Sequence, residues 1–479
     1  MIIGREQELK WLRSSLKKEE PSFFAIYGRR RVGKTFLVNE AFNYKFTFKS
    51  AGIAPNKEHP EESSKIAQIR HFVTNLRKYG LEVKNEVNNW EDAFSLLEAL
   101  VRNSSDKKKV IFLDELAWVD TPKSGFLTAL ELFWNDWMSS RRDAVLVVCA
   151  SAASWMVNKV IHNKGGLHNR LTKSIYLPPF TLGECEEYAR ERGLGLNKRQ
   201  ILDSYMVFGG VPFYWSKFEV GYTPEKNIDN LLFKDKAEPA NEFDELYDSL
   251  FSNSLDYKTI VDALVKKRKG LTREEILEET GLLANGYLSR KLEDLENCGI
   301  IRSYHCFRKT SKGKPYQLLD NFTIFYFQFM EAKPTDEHYF ENMARTPLVN
   351  NWKGLSFERV VLQHVKQIKE ALSISGVSSD ICSWSIKGNK KENIKGAQID
   401  LLIARKDDVI DIIEAKHSLL PYKISENEID EWQLRANYFA ETVKTRSAIH
   451  LVLVTAIGVD EDSYISGISN VVTLKDLFK

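Results

Sequence analysis

The segment Gly28-Arg29-Arg30-Arg31-Val32-Gly33-Lys34-Thr35 constrains this chain more than any other. It follows a short apolar run, Phe23 to Tyr27, and precedes Phe36 to Phe42, whose pattern predicts a helix. Strand, glycine-bounded loop and helix in that order make a cradle for phosphate. Gly28 and Gly33 let the backbone curl so that its N–H groups converge, and the helix N-terminus adds partial positive charge. In such a loop Lys34 is expected to reach the β- and γ-phosphates of ATP, and Thr35 to place its hydroxyl on Mg²⁺.

A loop of this kind needs an acidic partner. Val110-Ile111-Phe112-Leu113 predicts a buried strand whose carboxyl end delivers Asp114 to the metal and Glu115 to the attacking water. A third apolar strand, Ala144 to Ala150, ends at Ser151, expected to sense the γ-phosphate. Arg170, in the glycine-led segment before the strand-like stretch Ser174 to Pro178, has two readings. It either enters a neighbouring subunit's site as an arginine finger, which implies a homo-oligomer, or sits in a solvated loop.

With 479 residues the chain exceeds one hydrophobic core, so two to four domains are expected. Its net charge of +2 leaves any nucleic-acid affinity to local patches. Cys149, Cys185, Cys298, Cys306 and Cys382 form no C-x-x-C pair, which excludes a zinc ribbon and predicts reduced, mostly buried thiols. The start at Met1-Ile2-Ile3 shows no signal segment, and no apolar run approaches the roughly 18 residues that span a bilayer. A cytoplasmic protein without membrane contact is the expectation.

From Lys258 to Pro315 there are 13 Lys or Arg against 8 Asp or Glu. A Thr-x-x-Glu capping box at Thr272 opens one helix, Gly281 ends it, and Tyr287 to Cys298 forms a second. Strands from Gly299 and from Pro315 then flank a basic loop, which predicts a winged helix. Its second helix would offer Asn285, Tyr287, Ser289 and Arg290 to the major groove, with Arg308, Lys309, Lys312 and Lys314 of the wing against phosphates. The competing expectation is a packing or regulatory module.

Near the far end, Gln398 to Ala404 and Val409 to Lys416 read as strands joined by the Arg405 to Asp408 turn. Side chains alternate along a strand, so Glu414 and Lys416 share a face. In a hairpin Asp400 approaches Glu414, giving two carboxylates for one divalent metal, with Lys416 placed to orient water or to stabilise charge on a phosphodiester.

The first module resembles the archaeal-type ATPase family of P-loop NTPases, close to the AAA+ and STAND groups. The resemblance rests on Ile3-Gly4-Arg5-Glu6, the loop at Gly28 to Thr35, Asp114-Glu115, and Gly209-Gly210-Val211-Pro212. It implies that Gly4, Arg5 and Pro212 lie near the nucleotide, Pro212 in a helical lid. The carboxyl-terminal segment resembles the PD-(D/E)xK nuclease domain that accompanies this ATPase family. That resemblance implies Asp400, Glu414 and Lys416 as the catalytic set, Glu358 as a further metal-binding acid, and Gln433 as a polar residue on the following helix.

The expected fold is therefore α/β: an ATPase core with a parallel sheet over residues 1–180, a helical lid over 181–255 and a winged helix over 256–332. A linker follows over 333–350, then a restriction-endonuclease-like domain over 351–479. The expected function is ATP-gated, Mg²⁺-dependent cleavage of nucleic acid, DNA favoured. The alternatives are an ATP-regulated DNA-binding switch and a STAND-like signalling scaffold whose nuclease fold does no chemistry.

Overall fold

The computed structural model describes residues 2–56, 58–163, 165–234, 242–251, 254–267, 269–307, 314–386, 397–463 and 465–479. The chain divides into two compact units. The first comprises Met1–Pro179, Asp244–Ser254 and Glu293–Gly299, and the second comprises Phe180–Phe243, Leu255–Leu292 and Ile300–Lys479.

In the first unit, strands β1 (Ser22–Tyr27), β2 (Phe48–Ala51), β3 (Lys109–Asp114), β4 (Ala144–Ala150) and β5 (Lys173–Tyr176) form one sheet in the order β2-β3-β4-β1-β5. Every pairing is parallel. Strands β3 and β4 are buried along their whole length, as continuous apolar runs in a sheet covered on both faces should be. One face packs Phe72, Trp90, Phe94, Phe126, Phe133 and Trp134 against the sheet, and the other packs Leu12, Leu37, Val38 and Phe42. Because all strands run the same way, their carboxyl ends gather along one edge, where ligands bind in open α/β sheets.

The second unit begins with helices Leu182–Glu191 and Lys198–Phe208, each opened by a capping box. Three helices, Ser254–Lys266, Arg273–Thr280 and Gly286–Asn297, accompany a small antiparallel sheet of β6 (Leu271–Thr272), which lies between the first two, β7 (Ile301–Ser303) and β9 (Pro315–Leu318), ordered β6-β9-β7. The last turns of the third of these helices, from Glu293, are counted in the first unit. A mixed sheet follows, ordered β14-β13-β12-β11-β10-β8. It contains β10 (Ser379–Ile386), β11 (Ala397–Arg405), β12 (Val409–Lys416), β13 (Ala448–Thr455) and β14 (Asn470–Thr473). Its sixth strand, β8 (His305–Cys306), comes from the loop expected to be the wing. It pairs parallel with β10 through Cys382↔His305 and Ser383↔Cys306.

The segment 333–350, expected as a linker, carries a helix at Tyr339–Met343 and the start of Pro347–Gln363. The boundary expected at residue 351 thus falls inside a helix. Pro347 occupies the first helical turn, where its missing N–H costs nothing. Four cysteines, Cys149, Cys185, Cys298 and Cys382, are free and buried. Among the described residues no helix is long and apolar enough to cross a membrane.

Candidate functional sites

Gly28 and Gly33 both adopt positive φ, at 147° and 91°. Their reasons differ. A Cβ on Gly28 would lie 2.3 Å from the Leu177 carbonyl oxygen, whereas one on Gly33 would meet nothing within 4 Å. The loop therefore leaves β1 pressed against the chain after β5, and then turns through a left-handed residue into the helix Lys34–Ala41. Arg5, 5% exposed, donates to the Pro178 carbonyl at 2.7 Å and fixes the residue next to that close approach.

Lys34 is buried, and its ammonium donates to the carbonyls of Gly28 and Arg29 and to Ser151 Oγ, each at 3.0 Å. Burial lowers its pKa, opposed first by the charge of Glu115. Thr35 Oγ1 donates to Asp114 Oδ2 at 2.6 Å. Burial pushes the Asp114 carboxyl up, opposed by that hydrogen bond. Ser151 donates through Oγ to Glu115 Oε1 at 2.5 Å and through its backbone N–H to Oε2 at 3.0 Å. Glu115 itself sits at φ 50°, ψ 47°. A non-glycine residue in the left-handed region at a strand end is the kind of backbone strain that functional sites hold. Lys34, Thr35, Asp114, Glu115 and Ser151 thus form one continuous hydrogen-bonded cluster at the carboxyl ends of β1, β3 and β4. The oxygen-only pair Thr35 and Asp114 suits a hard divalent cation, whose charge would offset the burial of Asp114.

Gly4 lies at positive φ one residue before Arg5. Arg170 is exposed at the end of a turn, its N–H bonded to the Leu167 carbonyl at 3.1 Å. Pro212 starts the helix Pro212–Ser216 in the second unit.

On the helix Gly286–Asn297, Tyr287, Ser289 and Arg290 are exposed. Asn285 accepts the Tyr287 N–H at 2.9 Å, and Arg273 holds both Ser289 Oγ and the Asn285 carbonyl. Lys314 donates to Ser303 Oγ at 2.9 Å, at the base of the small sheet. Arg308, Lys309 and Lys312 lie outside the described residues. Phe307 departs from the expectation for a wing: its N–H bonds the Ser383 carbonyl at 2.9 Å and its ring meets Phe439 at 5.3 Å, within the core of the mixed sheet.

In that sheet β11 and β12 are antiparallel, with Leu401 opposite Ile413. The pairing ends there, with Asp400 and Glu414 the next residue on each strand, and the register of β11 to β10 shifts at this point, between Cys382↔Leu402 and Trp384↔Ile399. Glu358, on the helix Pro347–Gln363, is held up to about 7 by burial and, next, by the charge of Asp400; Glu414 and Lys416 also act on it. Glu414 is pushed up by burial and opposed by Arg435, with which it forms an ion pair. Lys416 lies 5.4 Å from the centre of the Trp432 ring and 5.9 Å from that of Tyr422. The four residues named from the sequence are therefore neighbours. Gln433 instead packs its amide against Gly467.

Two residues were missed. Arg435 comes from the helix Glu426–Val443, two residues after the position singled out there. Arg302 on β7 is gripped by Gln317 Oε1 at 3.0 and 2.8 Å and feels the charge of Asp400. Neither has a local sequence signal, because each reaches the site only through packing of distant elements. Among the described residues, the group of three metal-ligating side chains whose donor atoms all lie within 4.8 Å is Asp229, His338 and Glu341. Asp229 accepts the backbone N–H groups of Phe340 and Glu341, so it caps the helix Tyr339–Met343.

The parallel sheet, the loop at Gly28 to Thr35 and the Asp114-Glu115 strand end together define a P-loop ATPase domain. Residues 2–218 match the model of an ATPase domain found predominantly in Archaea. The chain is similar to an uncharacterized protein of Methanocaldococcus jannaschii, with 23% identity over 418 residues, covering 85% of each. Its fold is similar to that of a Walker-type ATPase of Pyrococcus abyssi, with a TM-score of 0.50, 17% identity, and coverage of 68% of this chain and 96% of that one.

Proposed function

We propose that this ATPase acts on nucleic acid, DNA in the first instance, through a Mg²⁺-dependent phosphodiester-cleaving site on β11 and β12 that ATP controls. The observation that carries the reading is the placement of Asp400 and Glu414 on adjoining antiparallel strands, with Glu358 near enough to feel the charges of both and of Lys416. Acids packed together in a partly buried place repel one another, and a divalent cation relieves that repulsion while lowering the pKa of bound water. Asp400, Glu414 and Glu358 would hold Mg²⁺, and Lys416 would stabilise charge developing on the phosphate.

In the ATPase site, Thr35 and Asp114 would hold Mg²⁺, Lys34 would exchange its loop carbonyls for phosphate oxygens, and Glu115 would orient water. Ser151, bonded to both Lys34 and Glu115, reports on the γ-phosphate. The module of three helices and a small sheet is read as a winged helix that contacts nucleic acid through the exposed Tyr287, Ser289 and Arg290. Arg170 acts in trans where copies associate.

Lys34→Ala and Glu115→Gln should each abolish ATP hydrolysis. Asp400→Ala with Lys416→Ala should abolish metal-dependent cleavage and leave DNA affinity intact. Purified protein that, with ATP and Mg²⁺ or Mn²⁺, leaves duplex DNA, single-stranded DNA and RNA all uncut overturns the cleavage reading. One observation favours a second reading, in which this sheet binds without cutting: Glu414 is already paired with Arg435. Under it, the Asp400→Ala, Lys416→Ala double variant retains every activity of the wild type.

A further inference from the structure

We propose that the cavity beside Glu358 and Asp400 accommodates one unstacked nucleobase of the strand being acted on. This rests on the nucleic-acid reading above. The cavity has a volume of about 360 Å³, within the range of roughly 300–1,000 Å³ typical of small-molecule sites. Its walls bring together the elements that recognition of an extruded base requires. Phe327, half-buried, supplies an aromatic ring, and Trp352 a second one.

Trp352, 4% exposed, and Gln398, whose amide nitrogen is engaged by Asp400, also belong to the wall. A nucleobase edge offers acceptors and donors side by side, and its flat face stacks on an aromatic ring whatever the base. Lys269 and Arg359, also lining the cavity, supply positive charge for the phosphates that flank an extruded base. The cavity is walled partly by Asp400 and Glu358, so a base held there sets its neighbouring phosphodiester at the candidate metal site. Extrusion of a base is easiest from a single strand or a mismatch.

The test uses the full chain with Ca²⁺ in place of Mg²⁺ and a short single-stranded oligodeoxynucleotide carrying 2-aminopurine at one position. Stacking on the protein quenches the fluorescence of that base. Phe327→Leu should weaken binding about tenfold and remove the quench. Trp352→Phe replaces the indole by a smaller ring and removes its N–H; it should weaken binding severalfold, with the stability lost at this buried position measured separately by thermal unfolding. Replacing the probed base by an abasic site should make wild type and both variants bind alike. Variants that bind intact and abasic strands with the wild-type ratio overturn the pocket. Cleavage is scored separately with Mg²⁺: cleavage without a fluorescence response refutes the pocket alone, and a full response without cleavage refutes the nuclease alone.

Discussion

The two loop glycines offer a comparison in which each acts as the other's control. Gly28→Ala incurs the backbone cost of a side chain at φ 147°, about 1–3 kcal/mol, and an overlap of its Cβ with the Leu177 carbonyl 2.3 Å away, about 1–3 kcal/mol more. Gly33→Ala incurs only the first, since nothing lies within 4 Å of its added Cβ. The difference is about 1–3 kcal/mol, which in a unit of this size is a further drop in Tm of roughly 2–12 °C for Gly28→Ala. The overlapping carbonyl belongs to backbone held by β5 and, one residue on, by Arg5, so it cannot rotate away. Displacement of Gly28 also moves a carbonyl to which Lys34 donates, so nucleotide affinity should fall more for Gly28→Ala than for Gly33→Ala. Thermal unfolding, with binding of a fluorescent ATP analogue as a second readout, checks both statements. Equal melting of the two variants, or a lower Tm for Gly33→Ala, refutes the close-approach argument.

Other outcomes follow from neighbouring features. His364 donates through Nδ1 to the Val360 carbonyl and accepts the Leu182 N–H at Nε2, an arrangement that only the neutral ring satisfies, and burial holds its pKa down to about 4. The folded pKa lies below the unfolded one, so this stability is present above about pH 6.5 and is lost as pH falls toward 4; NMR should find the ring neutral at pH 5.5. Phe307→Ala should cost about half the roughly 3–5 kcal/mol of a fully buried Phe→Ala change, and hydrogen exchange should quicken along β10 with little change in β4. Binding through phosphate contacts predicts a steep loss of DNA affinity with salt, so an affinity constant between 50 and 200 mM salt (roughly) would exclude the winged-helix contacts.

The parts legible in the sequence are those whose signal is local. Phe23 to Tyr27, the loop and the following helix lie consecutively, and Val110 to Glu115 carries its own strand and acids. The alternation through Glu414 and Lys416 was readable for the same reason, and the antiparallel pairing of β11 with β12 ends one residue short of Asp400 and Glu414. What could not be read depends on partners far along the chain. Arg435 meets Glu414 because it shares a side of its helix with Trp432 and Phe439, which pack into the core of the sheet. Arg5 reads as a nucleotide-end residue, yet its visible contact is the Pro178 carbonyl, 173 positions away. A two-residue strand such as β8 has no periodicity to detect.

The attachment of β8 bears on how the protein can be taken apart. A sheet edge with unpaired N–H and C=O groups invites pairing with other chains, and proteins protect such edges by covering them. Here the cover for β10 is supplied from sequence some 75 positions upstream, with Phe307 pinned into the same core. A fragment cut at residue 351 would bare that edge and also sever the helix Pro347–Gln363. It should therefore self-associate, whereas a piece beginning at Phe180 keeps both that cover and the helices packed on it and should stay monodisperse. The carboxyl-terminal sheet is in this sense borrowed territory: its outermost strand belongs, by sequence, to the module before it.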